Sequence, residues 1–260
     1  MSNSKNVLLR LKSSLIFLKM NIVTLFIASC NSSTEVDIIK ESSLAEVIID
    51  DLIENNTVTT DNANPNATVT GSSGNDILDG GDGIDSISYA NALSGVTVNL
   101  NVSEPQDTFG AGIDQIINFE NLIGSNFNDN LTDGIGDNTL TGSDGSDTFN
   151  ITSGINVITD LTTGDILVVF PGATANASNI SSFIATAMTK NEGTVILTAT
   201  STSLNDILPS PPTLIGMTKN EGTVTLAAGN IRSNIDMTLS SIGSYTIYGS
   251  SAQDQLLGGS

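Results

Sequence analysis

The chain has 260 residues, with 8 lysines and arginines against 28 aspartates and glutamates, a net charge of −20 and no histidine. So large a negative excess disfavours nucleic acid and anionic lipid as partners, and the missing histidine removes HExxH zinc sites, Ser-His-Asp triads and Cys-His pairs together. Tryptophan is absent and aromatics make up 4% of the residues, which predicts a thin aliphatic core such as a solenoid has.

The N-terminal 19 residues carry Lys5, Arg10, Lys12 and Lys19, and the apolar run Met20–Ser29 (MNIVTLFIAS) ends at Cys30. That length suits the apolar part of a signal peptide and is short for a membrane span. Ile27-Ala28-Ser29-Cys30 resembles a bacterial lipobox, in which the peptide is cut before the cysteine and the cysteine is lipidated. This implies residues 1–29 as a lipoprotein-type signal peptide, a lipid anchor to the membrane through Cys30, and an outer-membrane lipoprotein. An ordinary secretory leader and an uncleaved anchor beginning at Leu15 are the alternatives. All three place the rest of the chain outside the cytoplasm, extracellular or at the cell surface. Cys30 is the sole cysteine, so an intramolecular disulfide is excluded. Residues 30–70 read as an acidic, flexible tether. LAEVIIDDLI (44–53) suits a short helix, and Asn55–Thr70 (NNTVTTDNANPNATVT) has the composition of a linker.

The segment Gly71–Ser88, GSSGNDILDGGDGIDSIS, is two nonapeptides of the form G-G-x-G-x-D-x-U-x, where U is a large apolar residue. The second copy fits at every defined position, and the first departs only at Ser72. Glycines at positions 1, 2 and 4 permit sharp turns with positive φ and expose backbone carbonyls. Position 6 (Asp76, Asp85) adds a carboxylate, and position 8 (Leu78, Ile87) begins a short strand and points inward. Two nonapeptides make a coil of about eighteen residues, and coils stack at the strand spacing of about 4.8 Å. Stacking brings the position-6 carboxylate of one turn close to the turn two repeats later. Calcium, which takes roughly six to eight oxygens from carboxylates and carbonyls, suits such a place. Asp76 and Asp85 fall on opposite sides of one coil, so each needs a partner from another rung, expected within 89–150.

A second block, Gly124–Asn150, divides into GSNFNDNLT, DGIGDNTLT and GSDGSDTFN. Its sixth positions are Asp129, Asn138 and Asp147, and its eighth are Leu131, Leu140 and Phe149. Asn138 brings a neutral oxygen, with Asp137 beside it. Asp129 and Asp147 stand two repeats apart on one side, the first choice for a calcium site. Degenerate copies occur at Gly110–Ile117, with Asp114, and at Gly249–Leu257, with Asp254.

In these repeats the chain resembles the RTX (hemolysin-type) calcium-binding repeat proteins. The resemblance is specific over 71–88 and 124–150. It is looser over YANALSGVTVNLN (89–101), GIDQIINFENLIGS (112–125) and NVITDLTTGDILVV (156–169). It implies an all-β fold, a right-handed parallel β-roll or β-helix solenoid with Ca2+ held on the position-6 aspartates, and it carries no enzymatic residues. The signal-type leader departs from the C-terminal export signal common in that family.

Beyond residue 150 the pattern changes. MTKNEGTV occurs at Met188–Val195 and again at Met217–Val224, each copy leading into an alternating strand, so that NEG reads as a turn. Asn191, Glu192, Asn220 and Glu221 are better explained by turn chemistry than as ligands. Ser181–Thr189 suits a short helix and Pro209–Pro212 a connector. The expected organisation is therefore a β-roll over 71–150, a smaller repeat-containing β region over 151–248, and the start of a further repeat at 249–260. The function expected is a non-catalytic, extracellular or surface-anchored calcium-binding protein whose roll folds on binding the metal. The alternatives are an adhesin or matrix-type fragment with a cell-surface or matrix partner, or the non-catalytic region of a larger secreted enzyme or toxin. A glycosidase built on a carboxylate pair is disfavoured, because the acids fall at metal-turn spacing.

Overall fold

The structure is a computed structural model that describes residues 37–40, 46–48, 57–60, 66–180, 182–184, 188–198, 213–215, 219–220, 222–227, 234–236, 244–248 and 255–257. The leader with Cys30, the connector 209–212 and the candidate ligand Asp254 lie outside the described residues.

Each nonapeptide ends in three residues of the type x-U-x, such as Thr139-Leu140-Thr141. β-branched residues flanking a central apolar one favour an extended, half-buried strand. These segments are strands of two to five residues, and no helix occurs among the described residues. They assemble into a ten-stranded, a six-stranded, a five-stranded and a four-stranded sheet. Among the described residues the pairing is parallel, except where Gln106–Asp107 runs antiparallel to Ile113–Ile117. The chain alternates between sheets. Asn121–Ile123, Thr139–Thr141 and Ile155–Ile158 enter the ten-stranded sheet, and Asn130–Thr132, Thr148–Ile151 and Ile166–Val169 the six-stranded one. This is an all-β parallel β-roll.

The register places the position-8 residues in two columns. Val69, Ile87, Leu122, Leu140 and Ile158 follow one another through the ten-stranded sheet. Val98, Leu131, Phe149 and Leu167 do the same through the six-stranded sheet. All nine are at most 1% exposed, so the inner columns are the core. Neighbouring residues along each strand alternate outward, as the pleat requires.

The interval between rungs is not constant. It is 18 residues from Asn121 to Thr139 and from Asn130 to Thr148. Between Ile77–Asp79 and its neighbour Ile113–Ile117 it lengthens to 38, and between Ser86–Ser88 and Asn121–Ile123 to 35. The added chain leaves the roll after Ser88 and supplies Thr97–Asn99, the lowest strand of the six-stranded sheet. It then returns through Gln106–Asp107 to Ile113–Ile117.

Several expectations change here. Strand Glu46–Ile48 lies where 44–53 suggested a helix, and Ser182–Ile184 lies where 181–189 did. Within the segment read as tether and linker, Asp37–Lys40 pairs with Thr57–Thr60, which pairs with Ile77–Asp79, and Thr68–Thr70 pairs with Ser86–Ser88. The physical reason is the same in each case. A short β-branched segment with weak propensity of its own becomes a strand when a neighbouring rung offers its hydrogen-bonding edge. Nor do the sheets break at residue 150, because Thr148–Ile151 continues onto Ile166–Val169. The two MTKNEGTV copies stack in register, Asn191 against Asn220 and Val195 against Val224. In the first copy the NEG tripeptide spans the turn from Lys190–Asn191 to Thr194–Thr198, where Asn191 Oδ1 accepts the Gly193 N–H at 3.0 Å.

Candidate metal centre

The position-6 side chains turn inward at the start of each strand and meet the rung beside them. Beside the six-stranded sheet, Asp129 N–H donates to Asp147 Oδ1 at 2.9 Å, and Asp147 N–H donates to Asp165 Oδ1 at 2.9 Å. Below them Val96 N–H donates to Asp129 Oδ1 at 2.7 Å. Three buried carboxylates thus follow one another at successive rungs, 4%, 2% and 2% exposed. Ser125 adds its hydroxyl to Asp129 Oδ1 and its N–H to Oδ2, both at 2.7 Å. Asp165 Oδ2 accepts the Thr162 N–H at 2.7 Å.

The glycine at position 1 makes room for this carboxylate. A Cβ at Gly142 would lie 2.2 Å from Asp147 Oδ2, and one at Gly124 would lie 2.2 Å from Asp129 Oδ2. Position 4 supplies the reversal, with Gly145 at φ +140°, a region in which side chains are strained. The two glycines and the aspartate therefore form one device, a tight turn with a carboxylate folded over its own first residue.

Asp76 and Asp114 make the equivalent pair beside the five-stranded sheet, where Asp76 N–H donates to Asp114 Oδ1 at 2.9 Å. The buried Tyr89 hydroxyl donates to Asp114 Oδ2 at 2.8 Å, and Ser72 Oγ donates to Asp76 Oδ2 at 2.9 Å. Asp85 lies on the opposite sheet, fully buried, with Ala67 N–H donating to Oδ1 at 2.6 Å and no hydrogen-bond partner at Oδ2. Its own N–H donates to Glu120 Oε2 at 2.7 Å.

Two candidates stand differently. Asn138 keeps the position-6 geometry but faces another amide, Asn156, whose Oδ1 accepts its N–H at 2.9 Å. The Asn138 Oδ1 accepts the Gly134 N–H at 3.0 Å and its buried Nδ2 has no partner, so it brings no charge to the turn. Asp137 is exposed and turned outward, with Oδ1 accepting the Ile155 N–H at 2.7 Å. Asn75 and Asn128 make the same kind of outward bond beside the five-stranded and six-stranded sheets, accepting the N–H of Ile113 and Ser146, each at 2.9 Å.

Sequence reading passed over Glu120, Asn156 and Asp165. A nine-residue step back from Asp129 reaches Glu120, and eighteen-residue steps from Asn138 and Asp147 reach Asn156 and Asp165. What hid them was the loss of the first-position glycine, whose places are taken by Gln115, Ile151 and Asp160. Asp133 was also passed over. Standing where the nonapeptide has its first glycine, it is fully buried. Thr152 N–H (2.8 Å to each oxygen), Thr152 Oγ1 (2.5 Å), Ser153 N–H (3.3 Å) and Asn156 Nδ2 (3.1 Å) all donate to it.

Electrostatics separate these groups. Burial pushes the Asp147 carboxyl up to about 7 against the pull of the Asp129 N–H, and the carboxylates of Asp129, Asp165 and Asp160 raise it further. Burial likewise carries Asp114 to about 7, opposed by the Asp76 N–H and the Tyr89 hydroxyl. Asp85, Glu120, Asp129, Asp133 and Asp165 are raised for the same first reason. The one ion pair among the described residues, Lys190 Nζ to Glu192 Oε1 at 2.5 Å, lies outside these ladders. No three or more acidic side chains among the described residues gather into a single metal-binding group. A cation at these turns would therefore take carboxylates from successive rungs and complete its shell with turn carbonyls. The donors are hard oxygens throughout and suit calcium.

A parallel roll whose tight glycine turns stack carboxylates at successive rungs defines a calcium-binding solenoid. The chain carries RTX calcium-binding nonapeptide repeats: that family model matches in four copies, over residues 68–88 and 123–158. No curated protein matches the chain.

Proposed function

We propose that this chain is a calcium-binding repeat protein of the extracellular space or cell surface, and that its β-roll gains much of its stability by taking up Ca2+. The observation that carries the reading is the buried ladder Asp129–Asp147–Asp165, in which like charges follow one another at successive rungs. Buried like charges destabilise a fold unless they are neutralised by protonation or by a cation. Asp129 and Asp147 are the first pair to hold an ion, with Asp165 continuing the row, Asp76 with Asp114 forming the next, and Asp85 contributing on the opposite sheet. Calcium supplies the missing positive charge and ties one rung to the next. Asn138 and the outward Asp137 are assigned no such role, and Asp254 keeps its place by sequence alone.

Location follows from the reading of residues 1–30 as a signal segment ending at a lipidated Cys30, and from calcium chemistry. Extracellular modules bind calcium at roughly 10⁻⁴–10⁻³ M, so a roll of this kind would stay loose inside a cell and order after export. The chain has no histidine, and the role proposed is non-catalytic.

The test is a calcium titration of the chelated full-length chain, followed by far-UV circular dichroism and by calorimetry. Strand signal should rise and heat should saturate with calcium but not with sodium at equal ionic strength. A spectrum and a heat trace that both ignore calcium would overturn the proposal. Mass spectrometry of the membrane fraction for lipidated Cys30 tests the location.

A further inference from the structure

Asp85 has a partner that no nonapeptide supplies. Its side chain is fully buried and its Oδ2 meets no hydrogen-bond donor. A buried anionic oxygen without a partner is costly, and the cost is removed by a proton or a cation. In the ten-stranded sheet the next rung after Ser86–Ser88 is Asn121–Ile123, with Asn121 opposite Ser86 and Leu122 opposite Ile87. That register sets Glu120 against Asp85, and the Asp85 N–H donates to Glu120 Oε2 at 2.7 Å. This is the bond that Asp129 makes to Asp147 and Asp76 to Asp114, with a glutamate in the second place.

The corner before Glu120 also reproduces a repeat turn without its glycine. Gly83, two residues before Asp85, has φ +144°, and Asn118, two residues before Glu120, has φ +56°. Asparagine tolerates the left-handed region better than most residues, and Asn118 Nδ2 donates to Asp79 Oδ1 at 2.8 Å. The Asn118 carbonyl oxygen lies 2.1 Å from where a Cβ would stand on Gly80, so the two turns pack backbone to backbone. Between strand Ile113–Ile117 and Glu120 there are only Asn118 and Phe119, whereas Gly80–Ile84 precede Asp85. The longer glutamate arm compensates for this shorter corner. Glu120 lies outside both stretches matched by the repeat family.

We propose that Asp85 and Glu120 together hold a divalent cation, calcium under physiological conditions, between the turn 80–85 and the corner 118–120, which makes Glu120 a metal ligand contributed from outside the nonapeptides. The assignment rests on the calcium-binding reading above and adds to it a site and a ligand. It also distinguishes this junction from the one two rungs away, where two amides, Asn138 and Asn156, occupy the places of Asp85 and Glu120, and the nearby Asp133 carboxylate is saturated by the chain's own donors.

Calcium binding by the full-length chain, measured by calorimetry and by competition with a chromogenic chelator, tests the assignment in the parent, Glu120→Gln, Asp85→Asn and the double variant. Glu120→Gln retains an oxygen to accept the Asp85 N–H while removing the charge. Each single variant should bind one calcium fewer than the parent, and the double variant should lose that same ion and no other. A Glu120→Gln chain with the parent's stoichiometry and affinity, or a double variant that loses two ions, overturns the proposal. If Glu120→Gln does not fold at saturating calcium, Glu120→Asp takes its place: weakened binding of one ion supports the assignment, and unchanged binding overturns it. A parent chain that takes up no calcium overturns the broader reading and this site with it, whereas a calcium-binding parent whose Glu120 variants bind unchanged overturns this site and leaves the broader reading standing.

Discussion

At the scale of single residues the unit is a coupling between position 1 and position 6. Asp147 folds over Gly142 so closely that any side chain there would displace its carboxylate. Gly142→Ala should therefore lower stability by about 1–3 kcal/mol, as overpacking does, and weaken calcium uptake as well. Thermal melts with and without the metal, beside a calcium titration, check both effects. Asp147 and Asp114 are both held near 7, above the ordinary 3.8. The stability this lends is fully present below the unfolded value and is lost as pH rises through about 7. The chelated protein should accordingly unfold at lower urea concentration at about pH 8 than at about pH 5. Calcium affinity should move the opposite way, because the metal binds the ionised form. A urea midpoint that rises with pH in chelator would contradict this. Positions 6 and 8 could be read from the sequence because chemistry fixes them: only a carboxylate supplies that charge, and only a large apolar residue fills the column.

At the scale of elements, a rung is a strand of a few residues whose stability comes from the rungs on either side. Leu131 stacks between Val98 and Phe149 and is fully buried. Leu131→Ala should cost about 2–5 kcal/mol, measured by chemical denaturation in saturating calcium. Asp133 shows a second way of joining rungs. Its carboxylate is saturated by Thr152, Ser153 and Asn156, so this junction is tied by the chain's own donors. Asp133→Ala should cost about 1–3 kcal/mol, the usual consequence of leaving buried donors unmade. It should do so equally with and without calcium, which distinguishes it from Asp147→Ala. Strands such as Glu46–Ile48 and Ser182–Ile184 were not legible for the reason that makes rungs work. Three residues carry too little intrinsic preference to outweigh a local helical pattern, and only the neighbouring edge decides. Glu120 escaped notice because a corner closed by Asn118 has no glycine to signal it.

For the whole molecule, charge and architecture pull in opposite directions. A net charge of −20 on 260 residues favours expansion, while the two apolar columns favour stacking. Calcium should tip the balance toward the compact roll, so small-angle scattering should show a smaller radius of gyration on adding calcium to the chelated chain. Sodium at the same ionic strength should produce much less of that contraction, since screening weakens repulsion without bridging rungs. By itself the sequence determined the repeat, the position-6 carboxylates and the aliphatic core, because a nine-residue period carries one acid and one buried apolar residue per turn, and its resemblance to the RTX repeats implied the parallel roll. Only the tertiary structure decided which carboxylates meet. The excursion after Ser88 moves the neighbour of Asp76 to Asp114 and that of Asp85 to Glu120, and stacking pairs Asn138 with Asn156 rather than with an acid. Such pairings depend on how the chain returns to the stack, a long-range property that no nine-residue window contains. The opening nonapeptides thus define the kind of site, and the fold chooses its members.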